Sequence, residues 1–279
     1  MRRALRLALA IAVVAPLPPA AASQCYGRPG KGRLEGGVQL PLEGDNFSAY
    51  STVAAGAGRT YLHATSAAIV VDAYARLNAG SPANRYVYGE TGLASGGLFK
   101  PHRTHQNGLS IDFFVPVRDA RDVSVALPTQ GKARFGYDIE FDRNARYQQL
   151  RIDFPALAEH LYQLDAAARA HGARIANVIL AREFLAMLWA SPRGPWVKKN
   201  IPFMVAKPWV RHDEHYHVDF SLPCQPGVPK GAAMDHWPAK RDLQALANQG
   251  LHVPAQHLIF RRRASGVINV AGPSPETKL

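Results

Sequence analysis

Two short stretches decide the fold: Leu109-Ser110-Ile111-Asp112-Phe113-Phe114-Val115 and His215-Tyr216-His217-Val218-Asp219-Phe220-Ser221. Both alternate with the period of two that a β-strand imposes on its side chains. In the first, Leu109, Ile111, Phe113 and Val115 share an apolar face, while Ser110, Asp112 and Phe114 point the other way. In the second, Tyr216, Val218 and Phe220 oppose His215, His217 and Asp219. Each strand therefore has a core side and a side that holds titratable groups on a rigid backbone.

Outward from these strands, the pattern is mixed. Asn107-Gly108 is a strong turn signal, so the first strand is predicted over Leu109–Val117 and the second over His215–Leu222. Apolar residues at helical spacing (Leu62, Ala68, Ile69, Val71, Tyr74, Ala75) predict a helix over Tyr61–Leu77, stopped at Asn78-Ala79-Gly80. A second helix is expected over Pro155–Ala170, ending at His171-Gly172, and a short one near Glu183–Trp189. Strands are expected at Tyr86–Tyr88 and Arg174–Leu180, a glycine-dense loop at Gly92–Gly97, and a last helix over Pro238–Asn248. Residues 24–60 read as loop with short extended pieces. Helices and strands without a regular βαβ rhythm indicate an α+β fold in a single domain. An antiparallel sheet would carry the titratable face, flanked by helices.

Composition supports a globular chain. The 279 residues are 47% hydrophobic and 19% charged, enough for a core and too apolar for disorder. The N-terminus has the parts of a secretory signal peptide: Arg2, Arg3 and Arg6, an uncharged run from Leu7, prolines at 16, 18 and 19, then Ala20-Ala21-Ala22-Ser23. The apolar run is short and proline-broken, which argues against a membrane anchor and for no stable membrane insertion after cleavage. We therefore expect a signal peptide over residues 1–23 and a folded domain over 24–260. A flexible basic tail is expected over 261–279, where Arg261-Arg262-Arg263 precedes a Gly-, Pro- and Ser-rich end.

The formal net charge of +12, of which the signal residues contribute three arginines, points to an anionic partner. Export, together with the lack of a basic helix bearing base-reading residues, argues against nucleic acid. In an oxidising compartment the two cysteines, Cys25 and Cys224, most simply form one structural disulfide, with two free buried thiols as the alternative. The chain-entropy picture gives such a long loop about 4–5 kcal/mol of stabilisation as an upper figure.

Five of the 11 histidines fall in two clusters, Pro101-His102-Arg103-Thr104-His105 and Arg211-His212-Asp213-Glu214-His215-Tyr216-His217. Two imidazoles at i and i+2 on one strand face can both reach one ion, or one can bind it while the other works on what it holds. Two histidines, one carboxylate and an open position make a catalytic zinc set, whereas calcium and magnesium prefer all-oxygen shells. No S-x-x-K and no G-x-S-x-G occurs, so a serine acyl-enzyme lacks its signature.

His105-Gln-Asn-Gly-Leu-Ser-Ile-Asp112, followed by His215-Tyr-His217, resembles the LAS group of zinc peptidases, which includes lysostaphin, D-Ala-D-Ala carboxypeptidase and sonic hedgehog. The loop Gly92–Gly97 before His102-Arg-Thr-His105, with His212-Asp-Glu-His215-Tyr-His217, is similar to penicillin-insensitive murein endopeptidase over roughly Leu40 to Cys224. The resemblance implies a periplasmic hydrolase of the D-alanyl–meso-diaminopimelyl cross-links of peptidoglycan. It implies Zn2+ held by His105, Asp112 and His217, with His102 nearby in the second shell. It also implies His215 as the base that takes a proton from water and His212 as the oxyanion's partner. Glu214, three before His217, stands where the related D-Ala-D-Ala peptidases keep a catalytic glutamate. Strand alternation would turn it away from the metal unless the strand bulges or begins later. Two alternatives follow from the same resemblance: a D-Ala-D-Ala carboxypeptidase or dipeptidase, and a non-catalytic metal-bound recognition module. His63, His160 and His171, with Tyr61, Tyr74, Tyr86 and Tyr88, are read as structural, and His236, His252 and His257, past the last expected strand, are assigned no role.

Overall fold

Cys25 and Cys224 are joined, and the bond ties the first described strand to the segment just past the last described one across 199 residues. The computed structural model describes residues 22–131 and 133–227. The signal-peptide residues up to 21, the helix expected over 238–248 and the basic tail lie outside the described residues. The chain opens with β1 (Gln24–Arg28) and β2 (Lys31–Glu35), a hairpin, followed by β3 (Val38–Gln39), β4 (Phe47–Ala49), α1 (Thr52–Gly56) and β5 (Tyr61–Leu62). Next come α2 (Ala64–Gly80), β6 (Tyr86–Tyr88), β7 (Ser110–Phe114), β8 (Val117–Arg118), β9 (Ser124–Val125), β10 (Arg146–Tyr147) and β11 (Leu150–Ile152). The chain then forms α3 (Phe154–Ala170), β12 (Arg174–Ile179), a 3-10 turn at Arg182–Phe184, α4 (Leu185–Trp189), α5 (Gly194–Asn200) and β13 (His215–Ser221).

The expected α+β architecture is present. The main sheet has the order β12-β13-β7-β6-β4, antiparallel except for its edge pair, β4 with β6, which is parallel. The decisive register is β13 against β7, which sets His217 opposite Asp112, His215 opposite Phe114 and Asp219 opposite Ser110. On the opposite face, α2 and α3 cover the sheet. Tyr74 of α2 lies edge-on to Phe113 at 6.3 Å, and His160 of α3 is hydrogen-bonded to the Tyr216 hydroxyl. Ile69, Val70 and Leu77 of α2, and Leu157, Leu161 and Leu164 of α3, complete a core shared with Ile111, Val218 and Phe220. The expected structural reading of His160 and of the buried Tyr74, Tyr86 and Tyr88 holds.

Several boundaries differ from expectation, each for a local reason. The helix expected from Tyr61 starts at Ala64, because Tyr61-Leu62 pairs with β3 and His63 caps the helix, its Nδ1 accepting from Thr65 N–H at 3.2 Å. That helix also runs through Gly80 before stopping at Ser81. The strand expected over Leu109–Val117 is two strands, split at Val115-Pro116. Helix α3 begins where Asp153 accepts from Ala156 N–H at 3.0 Å, with Pro155 in the first turn. Residues 24–60 hold more regular structure than expected, and α5 and the small sheet β10-β11-β8-β9 were not anticipated.

The hairpin β1–β2 braces the loop leading into β7. Gln106 N–H donates to Pro29 O at 3.0 Å, and Leu34 N–H to Ser95 O at 3.0 Å. Gly96 sits there at φ +63°, where an added Cβ would meet Gln106 O at 2.3 Å. Only glycine fits that approach. Among the described residues no helix is long and apolar enough to cross a membrane.

Candidate metal centre and active site

The register of β13 against β7 brings the two histidine clusters to one place. Asp112, fully buried, is its centre. Its Oδ1 lies 3.3 Å from His105 Nε2 and 2.9 Å from His217 Nδ1. Its Oδ2 accepts from the Tyr137 hydroxyl at 3.0 Å and lies 3.6 Å from His102 Nδ1 and 3.9 Å from His215 Nε2. Although burial opposes the charged form, the surrounding imidazoles hold the Asp112 carboxyl well below the usual carboxylate range.

Each histidine is oriented from behind. His105 donates Nδ1–H to the Thr91 carbonyl at 3.0 Å, so its buried Nε2 has no hydrogen-bond partner and aims its lone pair at the cluster. His102 is held through Nε2 by Glu90, which leaves Nδ1 toward Asp112. His217 is caught between two carboxylates, Asp112 on Nδ1 and Asp219 on Nε2 at 2.9 Å, and Asp219 in turn accepts from the Ser110 hydroxyl at 2.6 Å. Burial pushes the His217 ring toward neutrality, but Asp219 and Asp112 outweigh it and raise it to about 10. His105 and His212 carry left-handed backbones, φ +66° and +57°. Such a conformation costs a non-glycine residue about 1–2 kcal/mol and concentrates at functional sites.

These donors fit a metal. Two ligands bound about 2.0 Å from one tetrahedral ion sit ~3.3 Å apart, the separation of His105 Nε2 and Asp112 Oδ1. An unpartnered buried imidazole nitrogen facing a carboxylate oxygen is a pair of lone pairs that a cation reconciles. His102, His105 and Asp112 form a group whose ligand atoms all lie within 4.8 Å of one another and can hold a metal ion. His102 thus stands closer to the centre than a second-shell position implies, while His217 joins through the shared Asp112 oxygen.

The second cluster lies beside it. His215 donates Nδ1–H to Glu214 Oε1 at 2.7 Å, leaving Nε2 as the atom nearest Asp112. Burial lowers its basicity, but Glu214 and Asp112 outweigh that and raise the His215 pKa above its ordinary value. The His212 ring lies 4.7 Å from that of His215. Its Nδ1–H is donated to Val210 O at 2.9 Å, so Nε2 must gain a proton before it can donate to an oxyanion. Burial, then the neighbouring His215, lower the His212 pKa to about 4.

Glu214 meets the condition of a later strand start and stays a candidate. The strand starts at His215, so residue 214 precedes the alternation, and its carboxylate reaches forward onto the His215 ring.

Two functional groups went unanticipated. Glu90 is buried and accepts from Tyr50 Oη at 2.8 Å, from Arg59 Nε and Nη2, and from His102. Burial alone would raise its pKa, yet His102 and Arg59 hold it at about 2. Tyr137 accepts from the Glu90 N–H at 2.9 Å while donating to Asp112, so one phenol ties both carboxylates' segments together. Glu90 had a sequence signal, as the one charged residue between Arg85 and Lys100. Tyr137 had none. Because these groups act behind the ligands, Glu90→Gln and Tyr137→Phe should each weaken metal binding about 10- to 100-fold. Competition with a chromogenic chelator measures this, and unchanged affinity in both would show that they only fill space.

A family model described as penicillin-insensitive murein endopeptidase matches residues 25–245. That span exceeds the likeness readable from the motifs alone. No curated protein matches the chain at a significant level.

Proposed function

The chain belongs to the penicillin-insensitive murein endopeptidase family, and from that premise we propose that it is a zinc-dependent hydrolase of the D-alanyl–meso-diaminopimelyl cross-links of murein. It is a peptidase of peptidoglycan by family. The observation that carries the finer reading is the double engagement of Asp112: one oxygen faces His105 Nε2 and His217 Nδ1, and the other faces His102 and His215. His105, Asp112 and His217 would hold the ion, with His102 beside them, and His217 would have to give up the ring proton that it shares with Asp112 to do so. Two nitrogens and one carboxylate oxygen suit zinc better than a hard cation. When bound, zinc acidifies water and polarises a carbonyl.

The chain's own residues supply the rest. His215, its Nδ1–H committed to Glu214, offers Nε2 toward the centre as the base that takes the proton from water. Glu214 fixes the tautomer, as a carboxylate does behind a catalytic imidazole. His212, next to His215, is the partner for the developing oxyanion once its Nε2 is protonated. Export to the periplasm suits both this substrate and the Cys25–Cys224 bond. Residues 1–23 would be the signal, 24–260 the peptidase domain and 261–279 the tail.

Glu214 touching the site keeps a second reading in view, a D-Ala-D-Ala carboxypeptidase in which Glu214 itself is the base. Purified protein incubated with cross-linked muropeptide dimers, read by mass spectrometry, separates the two. We expect conversion of dimers to monomers, abolished by chelator and restored by zinc. Release of terminal D-alanine with dimers intact would assign the carboxypeptidase. No product with zinc bound would leave a recognition module.

A further inference from the structure

We propose that Arg103 and Trp209 form a carboxylate-reading subsite at the exposed end of the histidine row that leads to Asp112, which holds an acidic arm of the peptide substrate. The two residues come from the segments of the two histidine clusters and meet beside them. The Arg103 guanidinium lies 5.6 Å from the Trp209 ring centroid, close enough for cation–π attraction. From there the rings step inward: Trp209 edge-on to His212 at 5.9 Å, His212 to His215 at 4.7 Å, then His215 Nε2 to Asp112 at 3.9 Å. Exposure drops along the same line, from 39% at Trp209 to 3% at His212, 4% at His215 and none at Asp112. The pair therefore marks the solvent end of a path whose other end is the metal centre.

Two other arginines near the site are already committed. Arg59 is paired with Glu90, and Arg211 with Glu140, Glu183 and Asp213. Arg103 is exposed and has no carboxylate partner among the described residues. Its backbone is nonetheless seated: a Cβ added to Gly30, in the β1–β2 turn, would come within 3.2 Å of the Arg103 carbonyl oxygen. His102 on one side and His105 two residues on are fixed by their own bonds. A planar, always-charged fork held over an indole, with free donor edges, is built for a carboxylate taken bidentately. The exposed indole adds an apolar surface for the peptide beside it. Murein stem peptides carry several free carboxylates, so the murein reading supplies the ligand's identity, and the inference rests on that reading.

The test measures binding as well as turnover, so that it survives failure of the proposed activity. Zinc-loaded wild type, Arg103→Gln, Arg103→Lys and Trp209→Ala are titrated calorimetrically with a murein tetrapeptide monomer and with the same peptide amidated at its carboxyl groups. Arg103→Gln should weaken binding of the acidic peptide about tenfold, in the range of a charge-assisted hydrogen-bonded contact. It should leave the amidated peptide, and the zinc content, unchanged. Arg103→Lys should recover part of the loss, and Trp209→Ala should shrink the Arg103 effect because the fork loses its platform. With muropeptide dimers the loss should fall on KM rather than kcat. Equal losses for acid and amide, or no loss for either, would overturn the subsite, whether or not the protein cleaves dimers.

Discussion

Asp112→Asn is expected to remove both the metal and the activity. The substitution keeps the shape of a fully buried side chain but deletes the charge around which His102, His105, His215 and His217 are arranged. A buried imidazole pair facing a neutral amide has little reason to gather a divalent ion. Zinc content should fall from one equivalent to near zero. Turnover of muropeptide dimers should drop to below about a thousandth, because removing the group that activates water costs at least that order. A second readout does not depend on catalysis. Zinc bound only by the folded state should raise the melting temperature of wild type, and that increment should vanish in the variant. Retention of a full equivalent of zinc by Asp112→Asn, with normal turnover, would refute the assignment of Asp112 as the central ligand. An unchanged near-ultraviolet circular dichroism spectrum of the metal-free variant gives the independent check that the fold persists.

That Asp112 can be singled out at all reflects what a strand writes into sequence. β7 and β13 are backed by an apolar face, so period two sorts their residues without knowledge of neighbours, and His215, His217 and Asp112 emerge on the polar side. The pairing of His217 with Asp112 is a different matter. Register joins residues 105 apart, and nothing local encodes it. Groups behind the ligands are harder still. Glu90 comes from the segment after an all-apolar strand, and its solitary charge is the only hint. Tyr137 comes from an irregular segment with no period to read. Glu214 could be read only conditionally, because a strand's first residue decides its alternation, and boundaries depend on pairing, here the Glu214 carbonyl accepting from Val115 N–H at 3.0 Å. The two- and three-residue strands of the small sheet fall below any periodic pattern.

The second large effect concerns which group is the base. His215→Ala should lower kcat by about 10²- to 10⁴-fold, the usual range for a general base, with zinc content unchanged because His215 is not among the proposed ligands. Glu214→Gln should cost less, about 10- to 100-fold, because Glu214 acts on the reaction by orienting the His215 ring. The order of these effects is the argument. If the carboxylate works only through the imidazole, removing it from a protein that already lacks His215 should change kcat little further, so the double variant should resemble His215→Ala alone. A base at Glu214 would reverse every sign: Glu214→Gln would be the more damaging single change, and His215→Ala would leave substantial turnover. Geometry favours the first outcome. The Glu214 carboxylate is occupied by His215 Nδ1 at 2.7 Å, whereas His215 Nε2 faces the Asp112 carboxylate with no partner closer than 3.9 Å in that direction. A group that must take a proton from a molecule bound at the centre needs a free acceptor pointing there, and of the two, the imidazole has one.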